Sequence, residues 1–305
     1  MSNIQNVVVF IPAYNEELSI GRTIKRVLEL YPESLTRSKG YLLKLIVVND
    51  GSTDKTQDIV GQHNVLVKSI PKNKGLGAAT RVGMEWALQL DADVVVKLDA
   101  DFQHDPEDIE KVIIPLLKNE ADLCWGSRFK GQINYKMPLI RKIGNKFFTW
   151  LMNQLTDFEI SDAQTGLMAF NKNYLEVFEI FGNYNPPQQL LLDANLKHMR
   201  YVEVPVVFHP RTKGKSFVTL HYPIFVMANI FRILIYGDPI KVFSYIGVIM
   251  ILFAFIYYFI YLLSIYLNWG TEQYFIEFLS LVFLLVGIQS FFFGILADII
   301  LRKRK

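Results

Sequence analysis

A single cysteine, Cys124, stands in a chain of 305 residues. One thiol excludes an intrachain disulfide and a cysteine-based zinc cage. Charge is missing from the last quarter of the chain, with no Asp, Glu, Lys or Arg from Val242 to Thr271, nor from Phe278 to Ala297. A helix needs about 20 apolar residues to cross a bilayer, so each run is long enough to span once. One such run could be a buried core helix, but two in succession point to a membrane anchor. A strong net charge is lacking as well: +3 overall gives no argument for a nucleic-acid partner. No internal repeat and no low-complexity linker interrupts the chain.

What is present is apolar. Hydrophobic residues make up 51% and aromatics 14%, with a mean hydropathy of +0.23, too high for a wholly soluble protein. The connector between the two uncharged runs carries Glu272 and Glu277 and no basic residue. Lys213, Lys215, Arg232 and Lys241 precede the first run, and Arg302-Lys303-Arg304-Lys305 follow the second. The positive-inside rule therefore predicts an integral protein of the cell membrane with its amino-terminal domain and both termini cytoplasmic. Met1 to Gln5 is polar and leads into strand-like sequence, so no cleavable signal peptide is expected. The expected division is a domain over 1–220, an amphipathic juxtamembrane helix over 221–241, and a two-helix anchor over 242–305 with spans at 242–267 and 278–298.

Apolar runs and helical periods alternate along the first part. Val7-Val8-Val9-Phe10-Ile11 reads as a buried strand broken by Pro12, followed by a helix with Ile20, Ile24, Val27 and Leu28 on one face. Leu43 to Val48 is a second strand, Thr53 to Val60 a short helix, and Val65 to Val67 a third strand. Gly77 to Leu90 is helical and leads to a strand at Val94; Leu123-Cys124-Trp125 and Val202 to Val206 complete the set. Strands alternating with helices indicate an α/β class with a mostly parallel, doubly wound sheet. Two further segments are amphipathic. Ile140, Ile143, Phe147 and Leu151 share a face between Pro138 and Leu155, and Phe225, Ala228, Phe231 and Ile235 share one between His221 and Tyr236. Such a face suits a protein core or a lipid interface.

The chemistry gathers where strands end. Asp99-Ala100-Asp101-Phe102-Gln103-His104 follows Val94-Val95-Val96-Lys97-Leu98 and sets two carboxylates and an amide at the carboxyl edge of a sheet. Open α/β sheets bind ligands at that edge, and hard oxygens suit Mg²⁺ or Mn²⁺. An Asp-x-Asp pair alone is also a solvated, helix-capping turn. Its company decides: Pro12-Ala13-Tyr14-Asn15-Glu16 after strand one, Asn49-Asp50-Gly51-Ser52-Thr53-Asp54 after strand two, Asn73-Lys74-Gly75-Leu76-Gly77 before a helix, and Gly126-Ser127-Arg128.

This ordered set resembles the family-2 glycosyltransferases of GT-A fold, and within them the dolichyl- and undecaprenyl-phosphate sugar synthases with a short membrane anchor. The resemblance runs from about Val7 to Ser216. It implies a Rossmann-like, mostly parallel GT-A domain that takes a sugar from a nucleotide-sugar donor and passes it to a polyprenyl phosphate in the membrane. It implies a pocket for the nucleotide sugar from Pro12, Ala13, Tyr14, Glu16, Val48, Asp50, Asp99 and Ala100, and a metal, Mg²⁺ or Mn²⁺, on Asp101 and Gln103. Asp99, Asp101, Arg128 and Arg211 are implied as the catalytic set, the two arginines as phosphate clamps. Arg141, Asn145 and Ser216 are implied to hold the acceptor phosphate. Asn49 stands where many relatives have Asp, and Phe217 where they commonly carry Lys after the serine.

One absence bears on the acceptor. Transfer to a sugar hydroxyl needs a general base, an acid that processive relatives follow with Gln-x-x-Arg-Trp. The matching region here reads Pro187-Gln188-Gln189-Leu190. A phosphomonoester has a second pKa near 6 and is already ionised at neutral pH, so it needs no base. The expected reaction is inverting transfer to a polyprenyl phosphate on the cytoplasmic leaflet. The alternatives are transfer to a hydroxyl of a glycolipid or polysaccharide, and a non-catalytic scaffold that only binds nucleotide sugar. UDP-glucose, UDP-N-acetylglucosamine and GDP-mannose all stay open as donors, as do dolichol against undecaprenol and a homo-oligomer.

Overall fold

The computed structural model describes residues 4–180, 182–183, 186–210, 222–267 and 272–302. Two compact units divide it, residues 1–230 and 231–305.

The first unit is an α/β sandwich. Its strands are β1 (Gln5–Ala13), β2 (Tyr41–Asn49), β3 (Leu66–Ser69), β4 (Val94–Lys97), β5 (Leu123–Ile133), β6 (Met168–Asn171) and β7 (Tyr201–Phe208). Helices α1 (Ile20–Leu30), α2 (Glu33–Ser38), α3 (Thr56–Gly61), α4 (Leu76–Gln89), α5 (Ile109–Leu117), α6 (Leu139–Leu155), α7 (Lys172–Leu175) and α8 (Pro186–Leu196) connect them. Among the described residues one sheet runs β3-β2-β1-β4-β6-β5-β7. All neighbours are parallel except β6, which is antiparallel to both β4 and β5. The mostly parallel sheet expected from the alternation is present, and β6 is the strand the sequence pattern did not disclose.

Continuous apolar runs make the central strands because helices cover both faces. Val7, Val9, Ile11, Val47, Val94 and Val96 pack with Ile20, Ile24 and Val27 of α1 and Ile109, Val112 and Ile113 of α5 in one core. Leu28, expected on the same face of α1, is largely exposed.

Pro12 does not break β1; the strand passes through it and pairs Pro12 with Val48 and Ala13 with Asn49. The reason lies in the ladder. The Phe10 carbonyl accepts from Leu98 N–H on the β4 side, so two residues on, the Pro12 nitrogen faces that same side. There β4 has already ended, opposite Phe10 at Lys97. A missing N–H costs no ladder bond at that position.

Of the two settings open to the apolar stripe of α6, a protein core is not the one the first unit provides. Its inward residues are Asn145, Phe148 and Met152. Ile140, Ile143, Phe147 and Trp150 are exposed, Ile140 to 75%.

α9 (Tyr222–Gly237) passes from the first unit into the second, whose helices are α10 (Pro239–Tyr266) and α11 (Glu272–Arg302). Both contain 28-residue segments long and apolar enough to cross a membrane, Pro239–Tyr266 and Tyr274–Leu301. Only 11% and 22% of their most apolar stretches are buried, which separates them from core helices of a water-soluble fold. The pair packs through glycine: a Cβ on Gly247 would sit 3.0 Å from the Gly287 carbonyl oxygen, and one on Gly287 3.0 Å from that of Gly247. Small residues let helix backbones approach in this way. Ser280 adds a hydroxyl bond to the Ala254 carbonyl at 3.1 Å.

Gly83 of α4 lies against the buried ring of Phe10, where a Cβ would come within 2.3 Å of Cδ2. Alanine in a helix gains up to about 1 kcal/mol over glycine, but overpacking a core costs about 1–3 kcal/mol. Gly83→Ala is therefore expected to lower stability by about 1–2 kcal/mol in chemical denaturation. Gly61→Ala, with nothing within 4 Å, serves as the neutral control.

Candidate active site

The predicted residues from Pro12 to Glu16, Val48, Asp50 and those from Asp99 to Gln103 fall at the carboxyl ends of β1, β2 and β4, while Arg128 lies on β5 and Arg141 and Asn145 on α6. Strand order reverses between β1 and β4, the position where open α/β sheets leave a crevice.

The wall on the β1–β2 side is tightly bonded. Asp50 N–H donates to the Ala13 carbonyl at 2.9 Å, and the buried Asp50 carboxylate accepts from Lys74 N–H at 2.9 Å and Gly75 N–H at 2.7 Å. Asp50 thus holds the Asn73-to-Gly77 loop. Gly51, at φ +68°, is pressed against that loop, its position for a Cβ only 2.5 Å from Asn73 N. Asn15 adopts φ +52° and its side-chain oxygen accepts from Thr53 N–H at 2.8 Å. Glu16 N–H donates to the Thr56 hydroxyl at 2.8 Å, and its carboxylate accepts from the Ser19 hydroxyl at 2.7 Å. Pro12 and Ala13 are buried and Tyr14 is half-buried at the rim. Val48 turns into a small core with Ile70 and Ala79.

The carboxylate turn leaves β4. Asp101 Oδ1 accepts from Gln103 N–H at 3.1 Å across Phe102, which takes φ +58°. The Arg22 guanidinium lies 3.9 Å from the Phe102 ring centroid, and the Thr23 hydroxyl donates to the Ala100 carbonyl at 3.0 Å. Gln103 is fixed twice to His209: its side-chain amide donates to the His209 carbonyl at 3.2 Å, and its carbonyl accepts from His209 N–H at 2.7 Å. Asp99 is bonded to the buried Lys97 ammonium. Gly166 packs against Asp99, a Cβ there falling 2.0 Å from Oδ2. His104 is buried, its Nε2 accepting from Gly166 N–H at 3.0 Å. Desolvation, aided by the Arg128 charge, pushes it down to about 3, so the ring is neutral.

The donor set fits a hard divalent cation: two carboxylates and an amide on a turn pinned from both sides. Among the described residues no three His, Cys, Asp or Glu side chains gather. A softer ion with a full protein cage does not fit these oxygens.

Across the crevice, Arg128 is bound in a fork. Its Nε and Nη2 donate to the two oxygens of Asp162 at 2.6 and 2.8 Å, and Nη2 also to the Gln164 carbonyl at 2.9 Å. Asp162 is fully buried and accepts from a second side chain, the Asn145 amide, at 3.1 Å. The Arg128 charge and these bonds outweigh desolvation and hold Asp162 below the usual carboxylate range. Asn145 therefore faces inward onto Asp162. Arg141, one turn before Asn145 on the same face of α6, is exposed. Arg211 and Ser216 lie outside the described residues. Gln188 and Gln189 are buried on α8.

Asp162, Lys97, Gly166 and His209 escaped the sequence reading. The polar run Ser161-Asp162-Ala163-Gln164-Thr165-Gly166 was the available signal, but nothing in it names a partner 34 residues away. Breaking a buried ion pair from one side costs about 3–5 kcal/mol, so Asp162→Asn is expected to destabilise by somewhat less, because the amide keeps a fork partner for Arg128. A depressed folded-state pKa contributes stability above the unfolded value and loses it as pH falls through the folded value. The difference between parent and variant is then full at pH 6–7 and shrinks below about pH 4, read as unfolding free energy against pH.

The comparisons with known proteins agree with this geometry. The model for glycosyl transferase family 2 matches residues 8–178, and that for the GtrB C-terminal hairpin matches residues 238–302. A UDP-N-acetylglucosamine–dolichyl-phosphate N-acetylglucosaminyltransferase of Methanococcus voltae is 31% identical over 66% of this chain and 84% of its own. An undecaprenyl-phosphate 4-deoxy-4-formamido-L-arabinose transferase of Pectobacterium carotovorum is 25% identical over 98% of this chain and 89% of its own. Among solved structures, glucosyl-3-phosphoglycerate synthase of Mycobacterium tuberculosis, in complex with Mn²⁺, UDP and glucosyl-3-phosphoglycerate, superposes with a TM-score of 0.57 at 20% identity, covering 76% of this chain and 80% of that one. With more than half of its length in the family match, the chain belongs to glycosyl transferase family 2 and is a glycosyltransferase.

Proposed function

We propose that this glycosyltransferase moves a sugar from a nucleotide sugar to a polyprenyl phosphate on the cytoplasmic leaflet, with inversion. The observation that carries the acceptor is α6. Its inner side donates Asn145 to the Asp162 that holds Arg128, while its outer side exposes Ile140, Ile143, Phe147 and Trp150. One rigid helix thus joins the site's arginine to a surface suited to lipid. The relatives whose names specify dolichyl or undecaprenyl phosphate support the same acceptor.

In this reading an oxygen of the lipid phosphate attacks the anomeric carbon, the bond from that carbon to the diphosphate breaks, and the nucleoside diphosphate leaves with the electron pair. The acceptor is ionised at neutral pH, consistent with glutamines where a base would stand. Asp101 and Gln103 would hold a divalent ion, which when bound supplies positive charge to the leaving diphosphate. Pro12, Ala13, Tyr14 and Glu16 would line the nucleotide pocket, with Asp50 shaping its wall. Arg128, held in its fork, would present its remaining surface to the donor. Arg211 and Ser216 would close over the phosphates, and Arg141 would meet the acceptor at the headgroup plane.

The test is a panel of radiolabelled UDP-glucose, UDP-N-acetylglucosamine and GDP-mannose with membranes carrying the full chain and either dolichyl or undecaprenyl phosphate. Label entering the solvent-extracted lipid phase in a mild-acid-labile form is expected. Label appearing only in polysaccharide or glycolipid overturns the acceptor. Asp101→Asn is expected to lower turnover by about 10²-fold or more, and EDTA to abolish it reversibly.

Topology is tested by labelling. Cys124 is fully buried, so the parent gives little background. A cysteine at position 271 is expected to react with an impermeant maleimide from outside whole cells, and one at position 2 is not. The opposite pattern overturns the cytoplasmic-leaflet assignment.

A further inference from the structure

Glu203 stands between Val202 and Val204 on β7, and its side chain is 0% exposed. A buried carboxylate is costly unless its oxygens are satisfied. Here both are filled. Oε1 accepts from the N–H groups of Ser161 and Asp162 at 2.9 and 3.2 Å and from the Tyr201 hydroxyl at 2.8 Å. Oε2 accepts from the Ser161 hydroxyl at 2.5 Å and meets the Lys130 ammonium at 3.0 Å. With its proton engaged there, the Ser161 hydroxyl accepts from the Ser127 hydroxyl at 2.6 Å. An apolar side chain would pack beside the buried Trp125, opposite Glu203 on β5, without burying a charge. What the carboxylate adds is a set of bonds that reach Arg128 from two directions. Ser127 precedes the arginine on β5, and Asp162 holds its guanidinium in the fork.

We infer that Glu203 is a positioning residue that aims Arg128 at a phosphate of the bound nucleotide. The fork occupies Nε and Nη2, which leaves the guanidinium one nitrogen, Nη1, for a ligand. Asp162 cancels the arginine's charge, so Arg128 acts through direction more than through net attraction. A group used in this way has to be fixed to within about 0.5 Å and 10–20° by the residues behind it. Asp162 alone is a poor anchor, because it lies on the connection between α6 and β6 and not on a strand. Glu203 lies on a strand that pairs with β5, and it ties that connection and the arginine's own strand to one buried point. Loss of the carboxylate leaves the Ser161 and Asp162 N–H groups without their acceptor and frees the fork to turn. The inference rests on the reading of Arg128 as a phosphate clamp.

The experiment measures nucleotide binding by calorimetry to the full chain in detergent with Mn²⁺ present. It compares UDP or GDP, whichever the parent binds more tightly, with the matching monophosphate, and reads the ratio of the two dissociation constants. Arg128→Lys keeps an ion pair for Asp162 but lacks Nη1, and is expected to lower the preference for the diphosphate at least fivefold. Glu203→Gln is expected to lower it at least threefold, with monophosphate affinity within twofold of the parent. Added to Arg128→Lys, Glu203→Gln is expected to change the ratio less than twofold, because it acts through the arginine. Ser161→Ala cuts the hydroxyl bridge but leaves the carboxylate on its backbone donors; a loss of at least twofold is expected, and it serves where Glu203→Gln does not fold. A parental ratio in the folded variant overturns this inference and leaves the Arg128 reading intact. So does an equal loss for both nucleotides, the mark of a general structural defect, or an undiminished further loss on top of Arg128→Lys. A parental ratio in Arg128→Lys, or a parent that binds neither nucleotide, overturns both.

Discussion

The early end of β4 is the constraint on which the site depends. β1 runs three residues past its last partner on that side, Phe10 opposite Lys97, while β2 follows it to Ala13. The unpaired edge opens a crevice at the point where strand order reverses. It makes Pro12 tolerable, releases the chain at Leu98 into the carboxylate turn, and places Lys97 where a side chain can reach back under that turn. A longer β4 would close the crevice and carry Asp99 and Asp101 into the sheet. The functional geometry is thus a consequence of strand length before it is one of residue identity.

Around that opening the charges are arranged in buried pairs. Lys97 meets Asp99, and Arg128 meets Asp162 in a fork completed by Asn145. Buried ion pairs contribute little net stability, because desolvation offsets the Coulomb attraction. What they provide is direction: Asp162 has both oxygens occupied and holds the arginine in one orientation, and the Lys97 ammonium fixes one oxygen of Asp99. The same holds for Asp50, whose two oxygens are both taken by backbone N–H groups. Several acids that a motif reading would assign to ligands are spent on fixing the walls.

The sequence disclosed those parts of the fold whose signal is local. β1, β2 and β4 are unbroken apolar runs, and α4 follows its helical period. The motifs at Asp50 and Asp99 follow a strand and the one at Pro12 ends one, so all three marked the carboxyl edge of the sheet. β6 was hidden because four residues, all buried, carry no alternation and no flanking turn signal of their own. Asp162 was hidden because its meaning is its partner, which tertiary structure supplies. Lys97 stood inside an apolar run with no role of its own, since burial of a cation is invisible without its counter-charge. On α6 the apolar stripe was legible, but a stripe does not say whether protein or lipid covers it.

That last ambiguity is resolved by the other face of the same helix. A helix with two usable faces must choose one for the protein interior, and apolar area alone would favour the Ile140–Phe147 side by the hydrophobic effect. The chain instead buries Asn145 with Phe148 and Met152, and Asn145 gives the buried Asp162, already held in the Arg128 fork, one further hydrogen bond. Exposing isoleucine, phenylalanine and tryptophan in a row is a liability in water. In the headgroup region of a bilayer it is favourable, with the lysines and arginine beside it meeting anionic lipid. The exposed apolar surfaces of α10 and α11 impose the same condition independently. One helix thus turns a polar contact toward the site and an apolar stripe outward, and the exposed stripe makes the domain's surface compatible with a membrane.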